Sequence, residues 1–292
     1  MDSINSDNFS NSVPIYFTDE YIRAQNNDQI VVFKSNQFRF IVTLEGDVAY
    51  SFRQGPFGSI MNTQPTDFES FKSFQSEINR ELKQKNIKKL IIRQPPTYYP
   101  SFIDSRWLKA VGYNRIISDV NQSLEVDQHP VLHKMELRKL NTAVKEGLLF
   151  SHDSISDLEE IHSFIASCRE DVGLTVNITL DKLTRLFETF PSDYSLYSVR
   201  KEREILAACI VSRPIPNIYY YYLPATHPNH KSKSPMVLLI VSLMETLKSR
   251  GGEILDLGLS SINGIQQSGL YAFKKRMGAK DTSSSIYERI ID

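Results

Sequence analysis

Lys231-Ser232-Lys233-Ser234 stands immediately before Pro235, and Pro235 opens an apolar helical pattern. Proline is favoured at the first position of a helix. A helix N-terminus carries partial positive charge and N–H groups that attract anions. Lysines and serines in that place could bind a phosphate, or they form a solvated basic loop. Tyr219-Tyr220-Tyr221-Tyr222 reads as a strand, whose alternation sends two rings to each face. A phenol facing a cleft could protonate a leaving group; β-favouring aromatics also simply pack. Tyr220 and Tyr222 are the catalytic candidates of this strand. Asp256 lies in an apolar strand that ends at Gly258. An acid at the C-terminal end of a strand sits where clefts form, and a carboxylate there could remove a proton from an ammonium group. Its alternatives are a loop cap or a pair with Lys274 or Lys275. Lys274, Lys275 and Arg276 close the last helical pattern, where cations are favoured in any case. In the first half, Arg93, Gln94, Tyr98 and Tyr99 follow a short apolar strand. They could hold acidic or hydroxyl groups of a small molecule, or form a Pro/Tyr surface loop.

These residues need a scaffold, and hydrophobic spacing supplies one. Strands are expected at 29–34, 38–44 and 48–52. Phe68, Phe71, Phe74, Ile78 and Leu82 recur at helical spacing, with Asp67 as N-cap. A strand at 89–92 leads into the Pro/Tyr loop, then a short helix ends at Gly112 and an extended stretch covers 113–126. A helix over 131–146, ended by Gly147, should face Leu132, Met135, Leu140, Ala143 and Val144 inward and Lys134, Arg138, Lys139 and Lys145 outward. A strand at 148–151, two amphipathic helices and a hairpin of 196–200 with 205–212 precede the tyrosine strand. A helix from Pro235 to about Arg250, a strand at 253–257, a helix ending at Gly278 and a strand at 283–291 complete the pattern.

With 292 residues, 41% hydrophobic and 23% charged, the chain is globular in composition and long enough for two domains. Thirty-four basic and 34 acidic residues give zero net charge, so no global attraction to nucleic acid or anionic lipid exists. Cys168 and Cys209 fall at apolar positions and are expected to be reduced core residues. The six histidines form no H-x-H or H-E-x-x-H pattern, so no metal site is expected. The first 14 residues form a polar tail with no apolar core, and Met236–Met244 is too short to span a bilayer. A cytoplasmic location and no membrane partner are expected.

The two halves follow one script: helix, strand, loop, short helix, glycine, strand. The matched stretch covers 29 positions from Lys83 to Gly112 and 30 from Lys248 to Gly278, as a duplicated unit would.

Glu253-Ile254-Leu255-Asp256-Leu257-Gly258, followed by Gly269-Leu270-Tyr271-Ala272-Phe273-Lys274-Lys275-Arg276-Met277-Gly278, resembles the strand-Asp-Leu-Gly … Gly-Leu-x-x-Phe-Lys-x-x-x-Gly segment of the Fem-like branch of the GNAT acyltransferase superfamily. Leu137–Leu148 is similar to the basic helix that precedes the second unit there. Gly55-Pro56-Phe57-Gly58 and Ile92-Arg93-Gln94-Pro95-Pro96 are similar to the family's first half. The resemblance implies an α/β (α+β) fold of two GNAT-like domains in tandem, each a mixed, mostly antiparallel sheet flanked by helices. The expected division is 1–128, a connector helix at 129–146, and 147–292.

The resemblance also implies an N-acyltransferase with its donor site in the C-terminal domain. Tyr220, Tyr222 and Asp256 would do the chemistry. Lys231, Ser232, Lys233, Ser234 and Lys274 would hold the donor's anionic groups. Arg93, Gln94, Tyr98 and Tyr99 would hold a small-molecule amine acceptor. The donor would be an acyl-CoA such as acetyl-CoA, or an aminoacyl-tRNA, with no metal. A tRNA would need the basic residues Lys134, Arg138, Lys139 and Lys145. GNAT enzymes place a glycine-rich turn before this helix to cradle the CoA pyrophosphate. Residues 226–235 hold no glycine, so a catalytically inactive GNAT-like binding protein is the alternative.

Overall fold

A computed structural model describes residues 13–27, 29–127 and 131–291; most of the polar tail and the start of the connector lie outside them. The elements run, in chain order, α1 (Asp19–Gln25), β1 (Ile30–Lys34), β2 (Phe38–Glu45), β3 (Val48–Ser51), β4 (Met61–Asn62), α2 (Phe68–Gln84), β5 (Lys89–Arg93), α3 (Ser105–Ala110) and β6 (Asn114–Glu125). There follow α4 (Lys134–Lys145), β7 (Leu149–Asp153), α5 (Leu158–Glu170), α6 (Leu180–Thr189), β8 (Tyr194–Lys201), β9 (Glu204–Ile215), β10 (Ile218–Thr226) and α7 (Pro235–Ser249). The chain closes with β11 (Ile254–Leu259), β12 (Ser261–Ile262), β13 (Ile265–Gln266), α8 (Ser268–Arg276) and β14 (Lys280–Ile290). The segment before α7, expected as a loop, is a short 3-10 turn over Pro228–Lys233.

Contacts divide the chain into two compact units. The first holds residues up to 121, together with 261–266 and the chain end from 282. Its strands β1, β2 and β3 pair antiparallel, and β3 then pairs in parallel with β5. The last strand, expected within the second domain, pairs here: Ile286 to Ile290 of β14 run antiparallel to Arg93 to Lys89 of β5. Asp67 caps α2 by accepting from the Ser70 N–H at 2.7 Å. Phe71, Phe74, Ile78 and Leu82 on α2 are buried, as their spacing requires, and Phe74 stacks on Phe38 at 5.1 Å. Each such side chain contributes about 2 kcal/mol on burial. Gly58 donates its N–H to the Arg93 carbonyl at 3.1 Å, and any Cβ on it would meet the Phe52 nitrogen at 2.6 Å. Only glycine allows that approach.

The second unit holds 122–260 and 267–281. Strands β7, β8, β9 and β10 form an antiparallel meander, and β10 pairs in parallel with β11. Its core joins α7 (Val237, Leu239, Ile240, Leu243, Leu247) to β8, β9 and the Tyr219 and Tyr221 side of β10. Both cysteines are buried and free, as expected.

Helix α4 corrects one expected face. Met135 and Val144 are exposed, while Glu136 is fully buried beside Leu132, Leu140 and Ala143. The inward stripe is 132-136-140-143, an i, i+4, i+8 line that admits a charge because Arg276 of α8 and Lys139 pair with Glu136 at 2.7 and 3.1 Å. Replacing Glu136 by alanine removes two charge-assisted bonds and leaves two half-buried cations. A loss of about 2 kcal/mol in denaturant unfolding is expected.

Candidate functional site

The central feature of the second unit is where β10 and β11 part. Their parallel register runs Ile218↔Ile254, Tyr219↔Leu255, Tyr220↔Asp256 and then ends, although β10 continues to Thr226 and β11 to Leu259. On its other side β10 loses register with β9 between Tyr222 and Ala225. Leu223 sits there at φ +48°, and the next residue, Pro224, has no N–H to give a ladder. A bulge of this kind re-aims the backbone.

Strand alternation sorts the four tyrosines. Tyr219 and Tyr221 are buried under α7, the Tyr221 hydroxyl 2.6 Å from the Met236 sulfur. Tyr220 and Tyr222 share the opposite face, are half-buried, and stack at 6.1 Å. Burial pushes the Tyr222 phenol up to about 12, with Arg169 pulling weakly the other way. It is therefore a protonated donor throughout the neutral range.

Across from them lies the end of β11. Asp256 is 1% exposed and accepts from the Gly258 N–H at 2.8 Å. Gly258 has φ +73°, and a Cβ there would stand 3.5 Å from the Tyr220 hydroxyl. The Lys274 ammonium is buried and donates to the carbonyls of Gly258 and Leu259 at 2.9 and 2.8 Å. Burial lowers its pKa to about 8, opposed by the charge of Asp256. Both charged groups thus hold the backbone turn at the end of β11, and Asp256 takes the loop-cap role the sequence left open.

The turn before α7 carries the proposed anion residues. Lys231 and Ser232 are exposed, Lys233 is half-buried and Ser234 is buried. Ser234 adopts a left-handed conformation (φ 58°, ψ 39°) at the helix start and its side chain caps nothing. The α7 N-terminus, with its partial positive charge, begins directly after these residues.

In the first unit, the sequence-derived acceptor residues have separate fates. Arg93 lines a cavity of about 380 Å³ with Tyr50, Arg53, Phe57, Ile116 and Asn263. Its guanidinium meets Asp119 at 3.3 Å, and Asp119 also accepts from Ser261 Oγ and the Gly264 N–H. Gln94 is engaged internally, accepting from Ser59 Oγ and donating to the Ile103 carbonyl, both at 2.5 Å. Tyr99 is buried, its ring 4.4 Å from that of Phe57. The Tyr98 hydroxyl accepts from the Asn121 amide at 2.8 Å. Arg53, which sequence reading passed over, lies 3.6 Å over the Tyr50 ring and pairs with Glu45. Nothing local marked it, because the fold alone brings it to the cavity.

Residues 136–275 match the family model described as "Acetyltransferase (GNAT) domain". The match spans a little under half of the chain, and the fold is GNAT-like, each unit holding a mixed, mostly antiparallel sheet flanked by helices. Among solved structures, the chain is similar to FemX (TM-score 0.69, 11% identity, covering 94% of this chain and 92% of that one). It is also similar to the C-terminal domain of a putative lysylphosphatidylglycerol synthetase from Agrobacterium fabrum (TM-score 0.63, 13% identity, covering 90% and 84%). A third is a tandem GNAT protein from the clavulanic acid biosynthesis pathway (TM-score 0.57, 10% identity, covering 91% and 85%). These likenesses are of fold. No curated protein matches the chain. Among the described residues no helix is long and apolar enough to cross a membrane.

Proposed function

We propose that the chain transfers an acyl or aminoacyl group to an amine, with the donor carbonyl seated where β10 and β11 of the second unit part. The observation that carries this reading is the end of the parallel ladder at Tyr220↔Asp256, with Tyr220 and Tyr222 on one face. A neutral amine attacks the donor carbonyl. Backbone N–H groups at the β10 break steady the oxyanion. As the C–N bond forms and the C–S or C–O bond breaks, the Tyr222 phenol protonates the departing sulfur or oxygen, the amine's proton leaves to water, and water returns a proton to the Tyr222 phenolate. Asp256 and Lys274 act as positioning residues through Gly258. Positioning of the two substrates supplies much of the rate.

The donor is a CoA thioester or an aminoacyl-tRNA. Lys139 of the basic helix is engaged by Glu136, while Lys134, Arg138 and Lys145 are exposed. Thermal unfolding with CoA, acetyl-CoA, longer acyl-CoAs and aminoacyl-tRNA separates the cases. A donor at about 100 times its dissociation constant stabilises by about 2.7 kcal/mol. No response to any donor, and no transfer, would support the alternative of an inactive binding protein. Replacing Lys231 and Lys233 together by alanine is expected to weaken donor binding about ten-fold, an effect that shrinks with added salt. Unchanged affinity would remove the turn before α7 from the donor site.

A further inference from the structure

His227, His230 and Glu204 offer one nitrogen or carboxylate oxygen each, and these three atoms lie within 4.8 Å of one another. The histidines are not in a helical zinc motif, and sequence spacing alone gave no reason to pair them with Glu204. The fold does. Thr226 pairs with Ala207 and the His227 N–H donates to the Leu206 carbonyl at 2.9 Å, so the β10–β9 ladder carries His227 toward the start of β9. The chain then enters the 3-10 turn over Pro228–Lys233. In a 3-10 turn, residues three apart eclipse, which puts His230 over His227 with ring centroids 4.6 Å apart. Glu204, the first residue of β9, meets His230 Nε2 at 2.9 Å.

We propose that Glu204, His227 and His230 form a binding site for a divalent transition metal, zinc first among them. Two imidazoles and one carboxylate are borderline-soft donors suited to zinc. Ligands of a tetrahedral zinc stand about 3.3 Å apart at bond lengths near 2.0 Å. The His230–Glu204 pair is already closer than that at 2.9 Å, and the His227 nitrogen lies within 4.8 Å of both ligand atoms. Three protein ligands leave a fourth position for water or another ligand. His227 and His230 are half-buried, which limits the side-chain entropy lost on binding, and Glu204 supplies the negative charge. A bound ion would tie the start of β9 to the turn that carries Lys231 and Lys233 into α7. The site stands on these contacts, independently of the donor reading.

The test is a zinc titration of the full chain, free of affinity tag, by calorimetry or by competition with a chromogenic chelator. One zinc per chain is expected, with a dissociation constant on the order of micromolar. His227→Ala combined with His230→Ala, checked for folding by circular dichroism, should weaken binding by at least about ten-fold, and Glu204→Gln should also weaken it. Magnesium, which prefers oxygen ligands, should not compete. The site is overturned if the wild type binds no zinc, or if the double histidine variant binds it as the wild type does. Zinc lost on Cys168→Ser and retained by the double variant overturns it as well.

Discussion

Tyr222→Phe should lower the transfer rate by about 10² to 10⁴-fold, the range for loss of a general acid, with little change in stability. The expectation follows from where the ring stands. Tyr222 shares a half-buried face with Tyr220 at the point where β10 has left β11. Phenylalanine keeps the ring stack and removes only the proton donor. The loss should therefore fall on kcat, with KM for the donor and Tm nearly unchanged, which a merely packing role would not produce. The pH profile adds a second readout. Burial raises this phenol to about 12, so the donor stays protonated as pH passes the ordinary tyrosine value of about 10. A rate limb abolished by the substitution but centred near 10 would contradict the assignment. Tyr220→Phe, whose hydroxyl lies beside Gly258, should have the smaller effect.

Lys274→Met should cost about 3 kcal/mol or more and reduce transfer through loss of position at Gly258. Methionine fills the space but leaves the Gly258 and Leu259 carbonyls without the ammonium that donates to them and removes a positive charge that interacts with the buried Asp256. Removing one partner of a buried charged cluster costs more than the cluster contributes. The linkage has a definite sign. The folded pKa of Lys274, about 8, lies below the unfolded value near 10.5. Below pH 8 the group is charged in both states. Between 8 and 10.5 the unfolded chain holds the extra proton, so stability rises with pH, by about 3 kcal/mol over that window. Chemical denaturation of the wild type should show this rise and Lys274→Met should lack it. Combining Lys274→Met with Asp256→Asn should cost less than the two changes added, since they share one cluster.

Much of the scaffold was legible because hydrophobic spacing determines it. The α2 face of Phe71, Phe74, Ile78 and Leu82, the Asp67 cap, the hairpin of β8 and β9, and the proline start of α7 all follow from local rules. Partner choice was not local. Nothing in Ser283–Ile291 says that it pairs with β5. Glu136 was passed over because a charge interrupts an apolar stripe, and only the fold brings Arg276 to it. The face of the tyrosine strand could be read only as an alternation; α7 decides that Tyr219 and Tyr221 go inside. Gln94 and Tyr99 stood among polar and aromatic loop residues, and the fold turned them to internal contacts. Asp256 and Lys274 were visible as chemistry-bearing residues, but their common attachment to the Gly258 turn is a product of β11 and α8 packing.

Hydrogen exchange with a bound, non-transferable donor analogue tests the central claim most directly. A ketone-linked CoA and an amide-linked aminoacyl-RNA are the two analogues to compare. The donor seat described here predicts new protection at residues 222–226 and at 257–259 with one of them, and no comparable change around the Arg93 cavity. Protection confined to other segments, with 222–226 and 257–259 exchanging as in the free chain, would contradict it.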